Sequence, residues 1–147
     1  MVELSSIFRR WLRHDRIAFD TSFLIPLLED ERKEESVVTR LFRIVERRSL
    51  FLITSTVTLL EVLVHPHRAG EREKAQRYYG YLTRAPFLKL APVTPDIADR
   101  AAELRAKYGL KTPDAIHFAT ALVLEATLFL TQDREFRKQK EIEVGIL

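Results

Sequence analysis

The sequence contains no cysteine, and this absence excludes a thiol nucleophile, a disulfide framework and a cysteine-ligated zinc site. Any bound metal must therefore use oxygen or histidine ligands. Glycine is scarce as well. The four glycines lie at least ten residues apart, so neither the glycine-rich fingerprint of dinucleotide-binding folds nor a phosphate-binding loop can be built. No serine lies in a nucleophile-elbow motif, and a Ser-His-Asp triad has no signature in this chain.

A long hydrophobic run is also missing. The longest stretch dominated by apolar residues, 115–130, has 16 residues and contains His117 and Glu125, whereas a membrane span needs about 20 nearly uninterrupted apolar residues. The first 14 residues mix charged with apolar positions and lack the continuous apolar segment of a secretory signal. We therefore expect a cytoplasmic protein without a membrane span. Its 147 residues, 46% of them hydrophobic, suit one domain with its own core.

Short apolar runs alternate with longer segments of helical character. Strands are predicted at 16–20, 50–53, 87–90, 127–131 and 142–147, and helices at 23–29, 35–48, 56–64, 71–84, 94–109 and 112–126. Pro66 is expected to end the third helix. Continuously apolar strands separated by helices are typical of a parallel sheet covered on both faces. The sequence therefore predicts a single domain over residues 1–147, an α/β fold built as a three-layer α/β/α sandwich around a mostly parallel sheet.

Residues 2–13 precede the first predicted strand and form a predicted amphipathic helix. Its apolar side carries Leu4, Ile7, Phe8, Trp11 and Leu12, and its other side carries Arg9, Arg10 and Arg13. We favour packing of the apolar side against the domain or a second copy, because such helices are far commoner than helices on a membrane surface. Both alternatives stay open at this point.

Two acidic residues lie just after predicted strands. Asp20 follows the first strand, and Asp133 follows the strand 127–131. Open parallel sheets bind ligands beyond the carboxyl ends of their strands, so the two carboxylates are expected in one crevice. The alternative for each is a solvated turn residue, because aspartate is common in turns and before helices.

Glu61 lies within a helical segment, 57–64, that is apolar on nearly every side. We therefore expect this helix to be buried, where an unpaired carboxylate is costly. Glu61 must then be protonated, paired with a base or bound to a metal ion. The alternative is a glutamate that reaches the surface or forms a salt bridge with a distant arginine.

Asp114 can be compared with Asp96, because each ends a Thr-Pro-Asp tripeptide, at 112–114 and 94–96. This tripeptide predicts the start of a helix, where aspartate interacts favourably with the helix dipole. The segment after Asp96 is half polar, whereas the segment after Asp114 consists mainly of small and apolar residues suited to close packing. We therefore predict that Asp96 is a helix cap and that Asp114 is a site residue.

The histidines are weaker candidates for metal ligands. His65 and His67 flank Pro66, and no third ligand follows at zinc spacing, so we expect them in a solvated turn. His117, one helical turn after Asp114, is expected to be a structural neighbour of the site rather than a ligand.

The four candidate acids form an oxygen-only ligand set, which favours Mg²⁺ or Mn²⁺ over zinc or copper. Carboxylates that hold such ions commonly serve phosphate chemistry, in which the metal polarises a phosphoryl oxygen and activates water. The net charge is +3, so the chain without these four acids carries +7. This surplus suits a polyanionic substrate that is guided to an acidic centre.

Four segments together resemble the PIN-domain family, and within it the VapC-type toxin ribonucleases of toxin-antitoxin pairs. They are Phe19-Asp20-Thr21-Ser22, Glu61 in its helix, the segment TPDAIHFATA at 112–121, and the segment TQDREF at 131–136. The resemblance covers the chain from Ile17 to its end. Only the third segment is specific by itself.

The resemblance implies a doubly wound α/β/α domain that hydrolyses RNA phosphodiester bonds with Mg²⁺ or Mn²⁺. It implies that the catalytic and metal-binding acids are Asp20, Glu61, Asp114 and Asp133. Thr131 and Ser22 would support a carboxylate or a water molecule, and Gln132 stands where the family often has asparagine. The resemblance further implies a homodimer and a cognate antitoxin protein that fills the acidic pocket.

Three alternatives differ in function. One is an RNA-maturation nuclease of the same fold, and another is a metal-binding or protein-binding module that kept the fold without catalysis. The presence of all four acids speaks against the second. An aspartyl phosphatase would need an acid two residues after Asp20, where this chain has Ser22.

Overall fold

Five short strands form one sheet in which every neighbouring pair is parallel. Along the chain they are β1 (Arg16–Phe19), β2 (Phe51–Ser55), β3 (Leu88–Ala91), β4 (Leu128–Thr131) and β5 (Glu143–Ile146). Their order across the sheet is β3-β2-β1-β4-β5, so β1 is central. The computed structural model describes residues 9–29 and 43–147, and in them the predicted parallel α/β fold is confirmed.

Helices connect the strands. They are α1 (Thr21–Glu29), α2 (Thr56–Arg68), α3 (Arg72–Arg84), α4 (Pro95–Tyr108) and α5 (Thr112–Val123), and a 3-10 helix follows β4 at Arg134–Lys138. Of the predicted helix 35–48, residues 43–47 are helical, and 35–42 lie outside the described residues. The 3-10 helix was not predicted. No helix in the described ranges is long and apolar enough to cross a membrane.

Alternation of side chains along the strands creates two cores, one on each face of the sheet. Ile17 and Phe19 of β1 and Leu130 of β4 belong to a core that also includes buried residues of α1, α2 and α3. Ala18 and Phe129 point to the opposite face and join buried residues of α4 and α5. The sheet is therefore the middle layer of the predicted three-layer sandwich.

The described end of the N-terminal helix packs on the domain. Residues 9–11 are helical, and Trp11 is buried in the core that contains Leu130. A Cβ atom at Gly145 would lie 2.7 Å from the Leu130 side chain and 2.9 Å from the Trp11 ring, so glycine is required for this close approach. Packing on the domain therefore holds for this part of the helix, while 2–8 lie outside the described residues.

The prediction that Pro66 ends its helix is wrong, because α2 continues to Arg68. Proline cannot donate an N–H group, but it can still accept hydrogen bonds. The carbonyl of His65 accepts from the N–H of Ala69 at 2.9 Å, and the carbonyl of Pro66 accepts from the N–H of Glu71 at 2.8 Å. These bonds continue the helical turn past the proline.

The helix α5 ends at Val123 rather than at Ala126. Glu125 adopts the left-handed conformation with a φ of 60°, and the N–H of Ala126 donates to the carbonyl of Ala121 at 2.8 Å. This arrangement closes the helix and turns the chain into β4.

Candidate active site

The ends of β1 and β4 place two of the candidate acids at the same edge of the sheet. Phe19 is paired with Leu130 in the strand register, and the N–H of Asp20 donates to the carbonyl of Leu130 at 3.3 Å. Asp20 therefore lies beside Thr131, the last residue of β4, and Asp133 follows two residues later. This is the carboxyl edge, where open parallel sheets bind ligands.

Asp20 is buried and its carboxylate is held by three donors. Its Oδ1 atom accepts from the Ser22 hydroxyl at 2.6 Å and from the N–H of Phe23 at 3.2 Å, and its Oδ2 atom accepts from the Thr131 hydroxyl at 2.5 Å. Burial raises the pKa of Asp20 above its ordinary value of 3.8, although the hydrogen bonds from Ser22 and Thr131 oppose the shift. The carboxylate is therefore fixed in position before any ligand binds.

The two hydroxyl groups that hold Asp20 also fix the chain after β4. Ser22 Oγ accepts from the N–H of Gln132 at 2.9 Å, and Thr131 Oγ1 accepts from the N–H of Asp133 at 3.0 Å. Gln132 takes part through its backbone and its side chain is exposed, so this contact does not depend on the residue type at 132. Ser22 and Thr131 thus both contact Asp20, and the supporting role in the site that the resemblance implies for them stays a prediction.

Thr131→Val is expected to destabilise the fold by about 1–3 kcal/mol, because it leaves a buried Asp20 oxygen and the Asp133 N–H without their partner. Thermal melts should show a decrease of about 3–10 °C in Tm. The matched control is Thr83→Val on α3, where the exposed hydroxyl donates only to the Tyr79 carbonyl, and its effect should stay below about 0.5 kcal/mol. Equal stability of the two variants would contradict the proposed clamp on Asp20.

Glu61 lies on α2 and is paired with a base. Its Oε1 atom accepts from the Thr21 hydroxyl at 2.7 Å and lies 2.8 Å from His117 Nε2. The hydrogen bond to His117 lowers the pKa of Glu61 below its ordinary value of 4.5, against the opposing effect of burial. Glu61 therefore stays ionised in the folded protein.

The expectation that the whole of this helix is buried is wrong. The Glu61 side chain is 35% exposed, Leu60 is 62% exposed and Val64 is 41% exposed. One face of α2 packs against the core through Val62, while the opposite apolar face points outward. An apolar side chain on the outer face cannot be distinguished by residue type from one in the core.

A buried hydroxyl network supports Glu61, and sequence reasoning missed it. Thr54 donates to the carbonyl of Phe19 at 2.9 Å and lies 2.7 Å from the hydroxyl of Thr58. Thr58 lies 3.4 Å from His117 Nδ1, and Thr21 lies 3.2 Å from His117 Nε2. Within these contacts His117 is a structural neighbour of the acids, as predicted, and it also orients Glu61.

Asp114 and Asp96 occupy different environments, although their tripeptides are identical. Thr94 caps α4 by accepting from the N–H of Ile97 at 3.2 Å, so Asp96 is an exposed first-turn residue rather than the cap that we predicted. In the second tripeptide the helix begins one position earlier than in the first. Thr112 is the first residue of α5, and its N-cap residue, Lys111, makes no side-chain cap. Asp114 lies in its first turn and is half-buried.

The pKa of Asp114 responds to the charges of the other three acids. Burial raises its pKa above the ordinary value of 3.8, and the charges of Asp133, Asp20 and Glu61 raise it further, while His117 lowers it. The helix α5 that carries Asp114 contacts β1, β4 and α2, which carry or precede the other three acids, so their charges are close enough to act on Asp114. Asp133 also has a structural role, because its Oδ1 atom accepts from the N–H of Glu135 at 2.8 Å and caps the 3-10 helix.

The donor set at this edge fits a hard divalent cation in its chemistry. Carboxylate oxygens are the ligands that Mg²⁺ and Mn²⁺ prefer, and a cation would relieve the repulsion at Asp114. Across residues 9–29 and 43–147, no group of three or more acidic or histidine side chains is already in ligating geometry. His65 and His67 are exposed, as predicted, but they lie in the last turns of α2 rather than in a turn.

Together, the central parallel strand, the helices on both faces and the acids beyond the carboxyl ends define an α/β protein with an acidic site at the edge of its sheet. The PIN-domain family model matches residues 17–142. The chain therefore belongs to the PIN-domain family, in agreement with the resemblance of its motifs.

Solved structures extend the likeness over most of the chain. A toxin-antitoxin complex from Klebsiella pneumoniae shares 27% identity at a TM-score of 0.65, covering 86% of this chain and 94% of that chain. The toxin VapC20 from Mycobacterium tuberculosis, described as cleaving the sarcin-ricin loop, shares 20% identity at a TM-score of 0.65, covering 86% and 98%. DNA-bound VapBC from Salmonella typhimurium shares 16% identity at a TM-score of 0.70, covering 89% and 97%. No curated protein sequence matches the chain.

Proposed function

We propose that this PIN-domain protein is a divalent-metal-dependent endoribonuclease and the toxin of a toxin-antitoxin pair, acting in the cytoplasm. The observation that carries the proposal is the geometry at the carboxyl edge of the sheet, where Thr131 holds Asp20 and also contacts the backbone of Asp133. Glu61 is tied to the same place, because it contacts Thr21, next to Asp20, and His117, one turn after Asp114. The likeness of this chain to toxin-antitoxin structures supports the assignment as a toxin.

In this proposal Asp20 and Asp114 are the principal ligands of Mg²⁺ or Mn²⁺, with Glu61 and Asp133 completing the site. When bound, the cation would polarise a phosphoryl oxygen and lower the pKa of water. Asp20 is the fixed element, because Ser22 and Thr131 hold it. Asp114 accepts no hydrogen bond from the described residues, so it is free to turn toward a ligand.

Glu61 has a separate task in the proposed reaction. Its Oε1 atom holds both polar contacts, with Thr21 and His117, and its Oε2 atom accepts no hydrogen bond within the described part of the chain. Because the pKa of Glu61 is lowered, the Oε2 atom is an ionised acceptor for a water molecule. We propose that Glu61 orients the attacking water and that His117 and Thr21 keep Glu61 in place.

The test is RNA cleavage by the purified protein, free of antitoxin, in Mg²⁺, in Mn²⁺ and in EDTA. The substrates are an unstructured RNA and a sarcin-ricin loop RNA, the second chosen because VapC20 is described as cleaving that loop. We expect cleavage that requires the metal. Equal cleavage in EDTA would refute the mechanism, and binding of Mn²⁺ without cleavage of either RNA would favour the inactive binding module.

An antitoxin partner is part of the proposal. The Klebsiella neighbour is a toxin-antitoxin complex, and the acidic crevice of this chain suits a basic segment of a partner protein. We expect a small protein encoded beside this chain to co-purify with it and to suppress its RNA cleavage. Co-expression of the two proteins, followed by addition of the purified partner to the cleavage assay, measures both effects.

We also propose that a second copy of the chain covers the outer face of α2. Leu60 and Val64 lie one turn apart on this face and are both exposed, and exposed apolar patches commonly mark protein interfaces. Leu60→Arg is therefore expected to shift the protein from dimer to monomer in sedimentation velocity. The control is Phe51→Arg, at a residue that is 58% exposed at the start of β2 and is not part of α2. A dimer that survives Leu60→Arg would contradict this interface.

A further inference from the structure

A groove of about 640 Å³ lies along α3, between this helix and α2. It is lined by His67 from α2 and by Arg72, Tyr79 and Arg84 from α3. Gly80 also lines it, and a Cβ atom at this position would meet no other atom within 4 Å. The space above the helix at Gly80 is therefore open, and we name this feature the α3 groove.

Among the described residues, the ionised side chains that line the α3 groove are all basic. None of its lining residues is acidic, and neither Arg72 nor Arg84 has a hydrogen-bond or ion-pair partner for its guanidinium among residues 9–29 and 43–147. The two arginines are separated by about 18 Å of helix axis, at 1.5 Å per residue. Two separate unpaired cations in one groove suit a ligand with repeated negative charges better than a single anion.

The α3 groove also offers an aromatic surface. Tyr79 lies between the two arginines in sequence and is 52% exposed. Nucleic-acid bases stack on exposed aromatic rings in grooves whose positive charges follow the backbone. Two other surface grooves are lined in part by glutamates, Glu61 in one and Glu125 in the other, and they suit a polyanion less well.

We propose that the α3 groove binds single-stranded RNA, with Arg72 and Arg84 on phosphates and Tyr79 stacked on a base. The inference rests on the proposed function and specifies where the substrate binds outside the acidic site. His67 lies six residues after Glu61 on α2, which is about 9 Å along the helix axis. RNA in the groove therefore lies beside the helix that carries Glu61.

The test measures binding of fluorescein-labelled single-stranded RNA to the full-length protein by anisotropy, in EDTA and over a series of salt concentrations. The double variant Arg72→Ala/Arg84→Ala is expected to weaken binding at least about tenfold at 100 mM salt. The slope of log K against log salt should fall by about 1.4, since each phosphate contact with a single strand contributes about 0.7. Unchanged affinity would overturn the proposal.

Tyr79 is tested separately, because stacking and charge have different salt dependences. Tyr79→Ala is expected to weaken binding about tenfold without changing the salt slope, and Tyr79→Phe is expected to keep the affinity of the parent. Equal losses in the alanine and phenylalanine variants would contradict stacking. Circular dichroism melts show whether each variant is folded, and alanine at these helical positions favours the helix.

A matched control distinguishes the groove from a general effect of charge. Arg47→Ala/Arg48→Ala removes the same charge from two exposed arginines just before β2 that do not line the groove. This pair is expected to change RNA affinity less than twofold. Equal losses in both double variants would overturn the proposal, as would dissociation of a dimer by the groove variants without loss of RNA affinity, because the groove would then be a protein interface.

The experiments distinguish an error in the proposed RNA-binding groove from an error in the proposed nuclease function. RNA binding in EDTA that depends on Arg72 and Arg84, without cleavage in Mn²⁺, would support the groove and refute the nuclease. Metal-dependent cleavage with an unchanged KM in the groove variants would support the nuclease and refute the groove.

Discussion

Asp20→Asn is expected to lower the rate of RNA cleavage in Mn²⁺ by about 1,000-fold, which corresponds to about 4 kcal/mol of lost transition-state stabilisation. The carboxylate of Asp20 is fixed by Ser22, Phe23 and Thr131, and asparagine offers one oxygen without a negative charge. Asp114→Asn is expected to lose as much activity, because it removes one of the two carboxylates proposed as the principal metal ligands.

Asp96→Asn is the matched control for both active-site variants. Asp96 is exposed, it follows the same Thr-Pro pair, and Thr94 already caps its helix. Its loss should leave the single-turnover cleavage rate within about twofold, since a first-turn charge is worth only about 0.3–1 kcal/mol of stability. A comparable loss of activity at Asp96 would show that the two tripeptides have been assigned the wrong roles. Melting curves of Asp20→Asn test whether unfolding causes its loss of activity.

Asp114→Asn is expected to raise Tm in EDTA at neutral pH, even though it removes activity. Burial raises the pKa of Asp114, and the charges of Asp133, Asp20 and Glu61 act in the same direction. The ionised form is therefore disfavoured in the folded protein without metal. Asparagine has nearly the same volume and no charge, so it removes this unfavourable contribution.

The pH dependence of folding stability follows from the raised pKa of Asp114. The stabilising contribution of Asp114 is fully present below its ordinary pKa of 3.8, where it is protonated in both the folded and the unfolded chain. It is lost as the pH rises through the higher pKa of the folded state. The advantage of Asp114→Asn should therefore be absent below pH 3.8 and should appear as the pH rises toward neutrality.

Binding of Mn²⁺ is expected to reverse the order of Tm between the parent and Asp114→Asn. Mn²⁺ at 100 times its Kd is expected to stabilise the parent by about 2.7 kcal/mol, or about 5–10 °C in Tm, and to shift Asp114→Asn by much less. Thermal melts in EDTA and in Mn²⁺ measure both effects, with Asp96→Asn as a variant that should behave like the parent. Two results together would contradict a metal site at Asp114: a lower Tm of Asp114→Asn than of the parent in EDTA, and an equal increase of Tm in both proteins with Mn²⁺. Asp114 would then be only a residue at the start of a helix.

The fold was largely predictable because its main signals are local. Continuously apolar strands and intervening helices define a buried parallel sheet, and Gly109 ends α4 in the left-handed conformation with a φ of 69°. The error at Pro66 arose because the accepting carbonyls of the helix end are not visible in residue type. The burial of α2 was overestimated for a related reason, since Leu60 and Val64 are apolar on an exposed face.

The acidic site was predictable only in part. Asp20 and Asp133 were placed by the ends of their strands, which is a local signal, but the partners of Glu61 come from other helices. His117 is 56 residues away from Glu61 in the sequence, and Thr21 is 40 residues away. No periodicity connects such positions, so the base that pairs with Glu61 and the hydroxyl network behind it emerge only from the packing of α1, α2 and α5.

The central position of β1 also determines when the acidic site can first exist during translation. Asp20 is made early, but Thr131, which donates to its carboxylate, follows 111 residues later. A nascent chain on the ribosome cannot complete this contact until β4 has left the exit tunnel and docked beside β1, and such late, non-local pairing is slow to form. A nuclease of the proposed kind would therefore remain inactive toward the message and the ribosome that are producing it.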